Sequence, residues 1–233
     1  MKESVPLLMQ EIRERLQSLE ANLPKSLDAM AVSRTTKLPW KALLYRETLS
    51  WRMAELARDA FEHFEKDRLA SAILLTRGAV ETSAALWYLC GKVSAVVDSE
   101  TLGDVDNYLM RLIMGSKIEP NLPPAINVLS FVDHVDKEIE GFRHQYDLLS
   151  EFSHPNWAGT GFLFYKHNEK TRVTDFGANL KTENAKVIGV VNLSVALAMF
   201  ERSYNRVAEI LPAFTALCEG QLATSQSDTP GHD

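Results

Sequence analysis

Cysteine is scarce. Only Cys90 and Cys218 occur in the 233 residues, so there is no disulfide framework, and no Cys-x-x-Cys spacing marks a zinc site. Both fall on apolar stretches that read as helix, where a reduced, buried thiol is the plain expectation. Long hydrophobic runs are also missing: the longest charge-free one, residues 187–200, falls short of the roughly 20 residues a helix needs to cross a bilayer. Near the start, Lys2, Glu3, Glu11, Arg13, Glu14 and Arg15 occupy positions where a signal peptide would need an uninterrupted apolar core. A cytoplasmic protein with no membrane segment is therefore expected. Positive charge is not in excess either, since 25 Lys and Arg face 31 Asp and Glu for a net charge of -6. Any contact with nucleic acid must then come from a local patch.

The glycine-based signatures of several enzyme classes are absent. There is no Gly-x-x-x-x-Gly-Lys phosphate loop, no dinucleotide fingerprint, no His-Glu-x-x-His helix and no Gly-x-Ser-x-Gly elbow. His134, His144, His167 and His232 are scattered without metal spacing, so neither a metal nor a cofactor is expected.

What is present is helical periodicity. Leu8, Ile12, Leu16 and Leu19 recur at the 3.6-residue period of an amphipathic helix, giving a peripheral helix within residues 1–22. A polar connection containing Pro24 and Pro39 follows over 23–39. A second helix is expected from Trp40 to about Lys66, with Leu44, Trp51, Ala54, Phe61 and Phe64 inward and its charges outward. Residues 69–91 are apolar or small nearly all round, as in a helix enclosed by others. A short helix around 104–114 precedes Pro120, Pro123 and Pro124, and Pro124 suits the first position of the next helix, which runs to about Glu138. The helix carrying Phe142, Leu149 and Phe152 must stop before Pro155, because the residue preceding proline disfavours helical angles. Phe162, Leu163, Phe164 and Tyr165 face Val173 and Phe176 across a polar turn, which reads as a small β-hairpin. From Thr182 to about Glu219, Leu193, Leu197, Phe200, Tyr204, Val207 and Leu211 mark the longest helix, with a bend expected near Pro212. The expected fold is all-α, a helical bundle with a hairpin insertion near 161–177. It forms one domain over 1–219, and the polar tail 220–233 is expected to be disordered.

Two constellations stand out. Arg77 and Glu81 are the only charges between Arg68 and Lys92 and share a helix face at a spacing of four. Arg before Glu is the weaker order for a surface pair, which points to a tertiary partner. Burial of either charge alone would be costly, and Gly78 beside them would admit a close neighbour. The second constellation, Arg143, Tyr146, Asp147, Ser150 and His154, forms a polar stripe opposite Phe142, Leu149 and Phe152. Its His154 sits at a helix C-terminus, where a cationic imidazole is favoured and acid or base chemistry near neutrality is available. Asn156, Trp157 and Gly159 follow in a compact turn. Polar satisfaction predicts that Arg77, Glu81, Tyr146, Ser150 and His154 converge, with Glu81 accepting a hydrogen bond from His154.

The Arg77-x-x-x-Glu81 helix, followed by Tyr146-Asp-Leu-Leu-Ser150-Glu-Phe-Ser-His154-Pro-Asn-Trp157, resembles uncharacterised bacterial helical proteins grouped loosely with the HEPN-like superfamily. The resemblance covers roughly residues 69–159. It implies a helical bundle, frequent dimerisation and, in active members, RNA cleavage or nucleotide transfer in bacterial defence or stress systems. Active HEPN ribonucleases carry an Arg and a His a few residues apart. No Arg stands at that distance before His154, and Arg58 with His63 has the spacing but points in divergent directions on a straight helix.

Two functions are consistent with these residues. In one, a HEPN-like protein acts on or binds RNA or a nucleotide at a polar pocket. There Arg77 holds phosphate, His154 moves a proton and Glu81 or Tyr146 orients it, with Tyr146, Ser150, Arg143, Asn156 and Trp157 as substrate contacts. In the other, it is a non-catalytic homodimeric scaffold, or a module binding an unknown protein partner, and the polar cluster is structural. Homodimerisation is expected from the apolar faces of Val187, Val190 and Val191 beside the Leu193 series.

Overall fold

A computed structural model of the protein describes residues 4–178, 180 and 183–227. Nine α-helices, one π-helical turn and a two-stranded antiparallel hairpin occur among the described residues. Two of the helices, α2 (Ala29–Val32) and α8 (Phe162–Phe164), are single turns. The tail beyond residue 227 lies outside the described residues.

The scaffold is α3 (Leu38–Glu65), α4 (Leu69–Ser99) and α9 (Glu183–Ser227), with α1 (Ser4–Ala21) laid across α3 and α9. The apolar period of α1 works as read: Ile12 and Leu16 are fully buried. The connection between α1 and α3 holds α2, whose first amides are capped by the Asp28 carboxylate. On α3, Ala54, Phe61 and Phe64 are buried, but Trp51 is 52% exposed and its indole N–H reaches the Pro24 carbonyl at 2.8 Å. The polar handle of Trp51 therefore pins the connection instead of entering the core.

Helix α4 is central, packing against α3, α5 (Val105–Met114), α6 (Val128–Asp136), α7 (Phe142–Ser153) and α9. Its burial is not all-round, since Leu74 remains 50% exposed. Gly189 marks a close approach of α9 to this core. A Cβ there would stand 2.5 Å from Phe64 and 3.3 Å from Ile73, so only glycine admits this spacing. Fully buried Phe64, Phe200 and Phe214 anchor the same core, each worth about 2 kcal/mol relative to exposure.

Three boundaries differ from the expected ones. Helix α6 begins at Val128, not at Pro124, because the Asn127 side chain accepts from the Leu129 amide and supplies a stronger start than proline's fixed φ. Pro124 instead bridges to Ser116 and accepts a hydrogen bond from Arg111. In the hairpin, only β1 (Tyr165–Asn168) and β2 (Val173–Phe176) pair, with Tyr165 opposite Phe176. Phe162, Leu163 and Phe164 form α8, which buries Leu163. Helix α9 continues to Ser227, passing through Pro212 and eight residues beyond Glu219.

By length and composition, residues 183–221 of α9 could cross a membrane, with a mean hydropathy of 1.3 in the most apolar window. Over half of that window is buried within the protein, and α9 packs against α1, α3 and α4, the environment of a core helix.

Candidate functional site

Arg77, Glu81 and Tyr146 meet where α7 crosses α4. The Arg77 guanidinium donates to the Tyr146 hydroxyl from Nη2 at 2.9 Å and from Nε at 3.3 Å. That hydroxyl donates in turn to Glu81 Oε1 at 2.9 Å, and Arg77 Nε lies 3.3 Å from the same carboxylate oxygen. The tyrosine thus bridges the ion pair, supplying the tertiary partner that the Arg-before-Glu order calls for. Its single proton goes to Glu81 and its oxygen is engaged by Arg77. Burial raises the Tyr146 pKa, reinforced by its hydrogen bond to Glu81 and opposed by Arg77. The phenol therefore stays protonated at neutral pH and acts as a donor. The Arg77 and Glu81 side chains are 30% and 25% exposed, half-buried instead of sealed. Gly78 serves the packing of α3, with Leu56 3.2 Å from where a Cβ would stand.

The polar stripe of α7 divides between two faces. Tyr146 is 2% exposed and lies with Phe142 and Leu149 on the buried face. Arg143 faces outward, bound to Asp147 at 3.1 Å and Asp133 at 2.5 Å, while its amide donates to Asp136. Ser150 donates to the Tyr146 carbonyl within its own helix. His154 is the extended residue that ends α7 before Pro155, with φ -92° and ψ 150°. It is exposed, and its imidazole has no hydrogen-bond or ion-pair partner among the described residues. The expected hydrogen bond from His154 to Glu81 does not form, because Tyr146, two helical turns earlier, already fills that role.

The turn after α7 is shaped by Asn156, whose side chain accepts from the Ala158 and Gly159 amides and opens a π-helical turn over Trp157–Gly161. Trp157 is 70% exposed and packs edge-on against Phe162. Arg58 and His63 also go separate ways. Arg58 binds Glu20 of α1 at 2.7 Å through Nε, and His63 Nδ1 contacts the Asp59 carbonyl at 2.8 Å.

A second Arg–Glu–Tyr cluster is hidden to the sequence reading. Arg46, 9% exposed, stacks its guanidinium 3.6 Å from the ring centre of Tyr204 and binds Glu47 at 3.0 Å. The Tyr204 hydroxyl donates to the other Glu47 oxygen at 2.8 Å. Arg46 Nε is buried without a partner among the described residues. Tyr204 also forms part of a cavity of about 570 Å³ between α1, α3 and α9. Arg46 and Glu47 read as solvated charges because the helix around them is rich in charges. Tyr204 reads as one more member of an apolar stripe, and no spacing joins residues 157 apart.

Among the described residues, no group of three or more His, Cys, Asp or Glu side chains is placed to hold a metal ion. No family model, curated protein or solved structure matches the chain.

Proposed function

We propose that the protein is a non-catalytic, homodimeric helical module in which the Arg77–Glu81–Tyr146 cluster fixes α7 against α4. The observation that carries this reading is the closure of the cluster: Tyr146 joins Arg77 to Glu81, while His154 stands apart and exposed. A proton-transfer site would need His154 within hydrogen-bond reach of the groups it serves. Self-association is supported by α9, where Val191 and Val195 are 37% and 43% exposed on its solvent-facing side. Sedimentation at tens of micromolar tests it, a concentration well above the dissociation constant of a stable dimer. A dimer that Val191→Glu with Val195→Glu converts to monomer supports the module, and a wild-type monomer refutes it.

The HEPN-like reading, with RNA or a nucleotide bound at Arg77, draws on one observation: about a quarter of the Arg77 and Glu81 side-chain surface still meets solvent. His154→Asn separates the two. If the folded variant loses an RNA-cleaving or nucleotide-transferring activity that the wild type displays, the enzymatic reading replaces the scaffold.

A further inference from the structure

Between α4 and α9 lies a cavity of about 600 Å³, within the size range of small-molecule sites. None of its lining residues belongs to the Arg77 cluster. Trp87, Cys90, Gly91 and Ser94 of α4 form one wall, and Arg202, Ser203, Asn205, Arg206 and Glu209 of α9 form the other, with Glu138 at the edge. The charges are unevenly matched. Arg206 is bound to Glu209 at 3.2 Å. Among the described residues Glu138 has only His134 Nε2 at 3.8 Å, and burial lowers the pKa of that imidazole.

Arg202 differs from Arg206. Its guanidinium rests 5.7 Å from the Trp87 ring centre and has no hydrogen-bond acceptor among the described residues. The Trp87 indole N–H, the Ser203 hydroxyl and the Asn205 amide likewise have no protein partner among the described residues. Arg offers five N–H donors and no acceptor, and indole is donor only. Arg202 and the Trp87 indole therefore bring unused donors alone, set against the flat apolar surface of Trp87 and Cys90, while the acceptors of Glu138 stay at the edge. Such a wall suits a ligand that brings the acceptors and a planar body with them.

We propose that this cavity binds a small organic oxyanion carrying a flat apolar group, with Arg202 gripping the oxyanion and Trp87 the ring. A carboxylate and a phosphate monoester share this chemistry. The test titrates the full-length protein by calorimetry with phenylacetate, phenyl phosphate and the neutral 2-phenylethanol. At least one oxyanion should bind with a dissociation constant of about 1 mM or tighter. The neutral probe should bind at least about tenfold more weakly, and Arg202→Gln should cost the oxyanion about tenfold, as expected for a lost charged hydrogen bond. Arg13→Gln, which removes an exposed partner of Glu65 on α3, should leave binding unchanged. Binding of phenylacetate alone identifies carboxylates, binding of phenyl phosphate alone identifies phosphate esters, and binding of both identifies the oxyanion itself. The proposal is overturned if neither oxyanion binds, if 2-phenylethanol binds equally well, or if Arg202→Gln leaves affinity intact.

Discussion

The molecule contains the same three-residue device twice, in two different dielectric settings. In both copies a tyrosine hydroxyl donates to a glutamate while an arginine lies close to its ring. At Arg46–Glu47–Tyr204 the charged side chains are 10% and 15% exposed, and at Arg77–Glu81–Tyr146 they are 30% and 25% exposed. Identical chemistry should therefore carry different energies. Coulombic attraction and the penalty for losing a partner both grow as water is withdrawn. The pairing geometry differs as well. Arg77 and Glu81 are neighbours on one helix face, whereas Arg46 and Glu47 are consecutive and diverge by about 100° on an ideal helix. Arg46 and Glu47 nevertheless meet at 3.0 Å, and Tyr204 reaching in from α9 touches both, so the inner cluster ties two distant segments together.

The largest effect expected is from Glu47→Ala, which strands the Arg46 charge in a nearly closed site. Urea denaturation should show a loss of about 3 kcal/mol, as for a broken buried pair. A loss below that measured for Glu81→Ala would erase the distinction between the clusters. Next come the two hydroxyl deletions. Tyr204→Phe leaves a Glu47 oxygen without its donor and should cost about 2 kcal/mol, against about 1 kcal/mol for Tyr146→Phe, where water can reach Glu81. Equal losses would mean that exposure does not set the energy.

His134 sharpens the contrast through pH. Its Nε2 is buried without a hydrogen-bond partner among the described residues. Its pKa is lowered from 6.5 chiefly by burial, with Lys92 and Lys137 adding to the shift and Glu138 opposing it. The unfolded chain then binds a proton more readily than the folded one. Stability should fall as pH drops below 6.5 and level off once pH passes beneath the depressed folded value. The slope in that window should flatten in His134→Gln, measured by denaturation between pH 5 and 8. An unchanged slope assigns it to other groups. The smallest effect belongs to His154→Asn, expected within about 0.5 kcal/mol of wild type, as for an exposed residue without partners. A loss above about 1 kcal/mol would show that the imidazole has a buried role.

These clusters also show why one part of the molecule is legible in the sequence and another is not. Arg77 and Glu81 are conspicuous as two charges in a long apolar stretch, and the need to satisfy them leads to α7 and to Tyr146. Convergence fails at His154 because the stripe is read as one polar face. A tyrosine puts its ring into the core and only its hydroxyl at the polar edge, so Tyr146 turns inward while Arg143 and Asp147 stay in water. The helices are legible through the periodicity of their apolar residues. Their ends are less so: a side-chain cap such as Asn127 depends on one local hydrogen bond, and that competes with proline as a start signal. Arg46 is illegible because its setting is made by Tyr204, and nothing local to either residue records the other.

Helix α9 makes up the last 45 described residues, about 68 Å of chain at the ideal helical rise, against which α1, α3 and α4 all rest. During synthesis, those three helices must wait for it. At 5 to 20 residues per second, about 2 to 9 seconds separate the first residue of α9 from its last. In that interval Phe64 and Ile73, which pack at Gly189 in the finished protein, face solvent on the nascent chain. A ribosome stalled within α9 would thus display much of the apolar surface of α4 uncovered, a substrate for holdase chaperones with no counterpart in the completed fold.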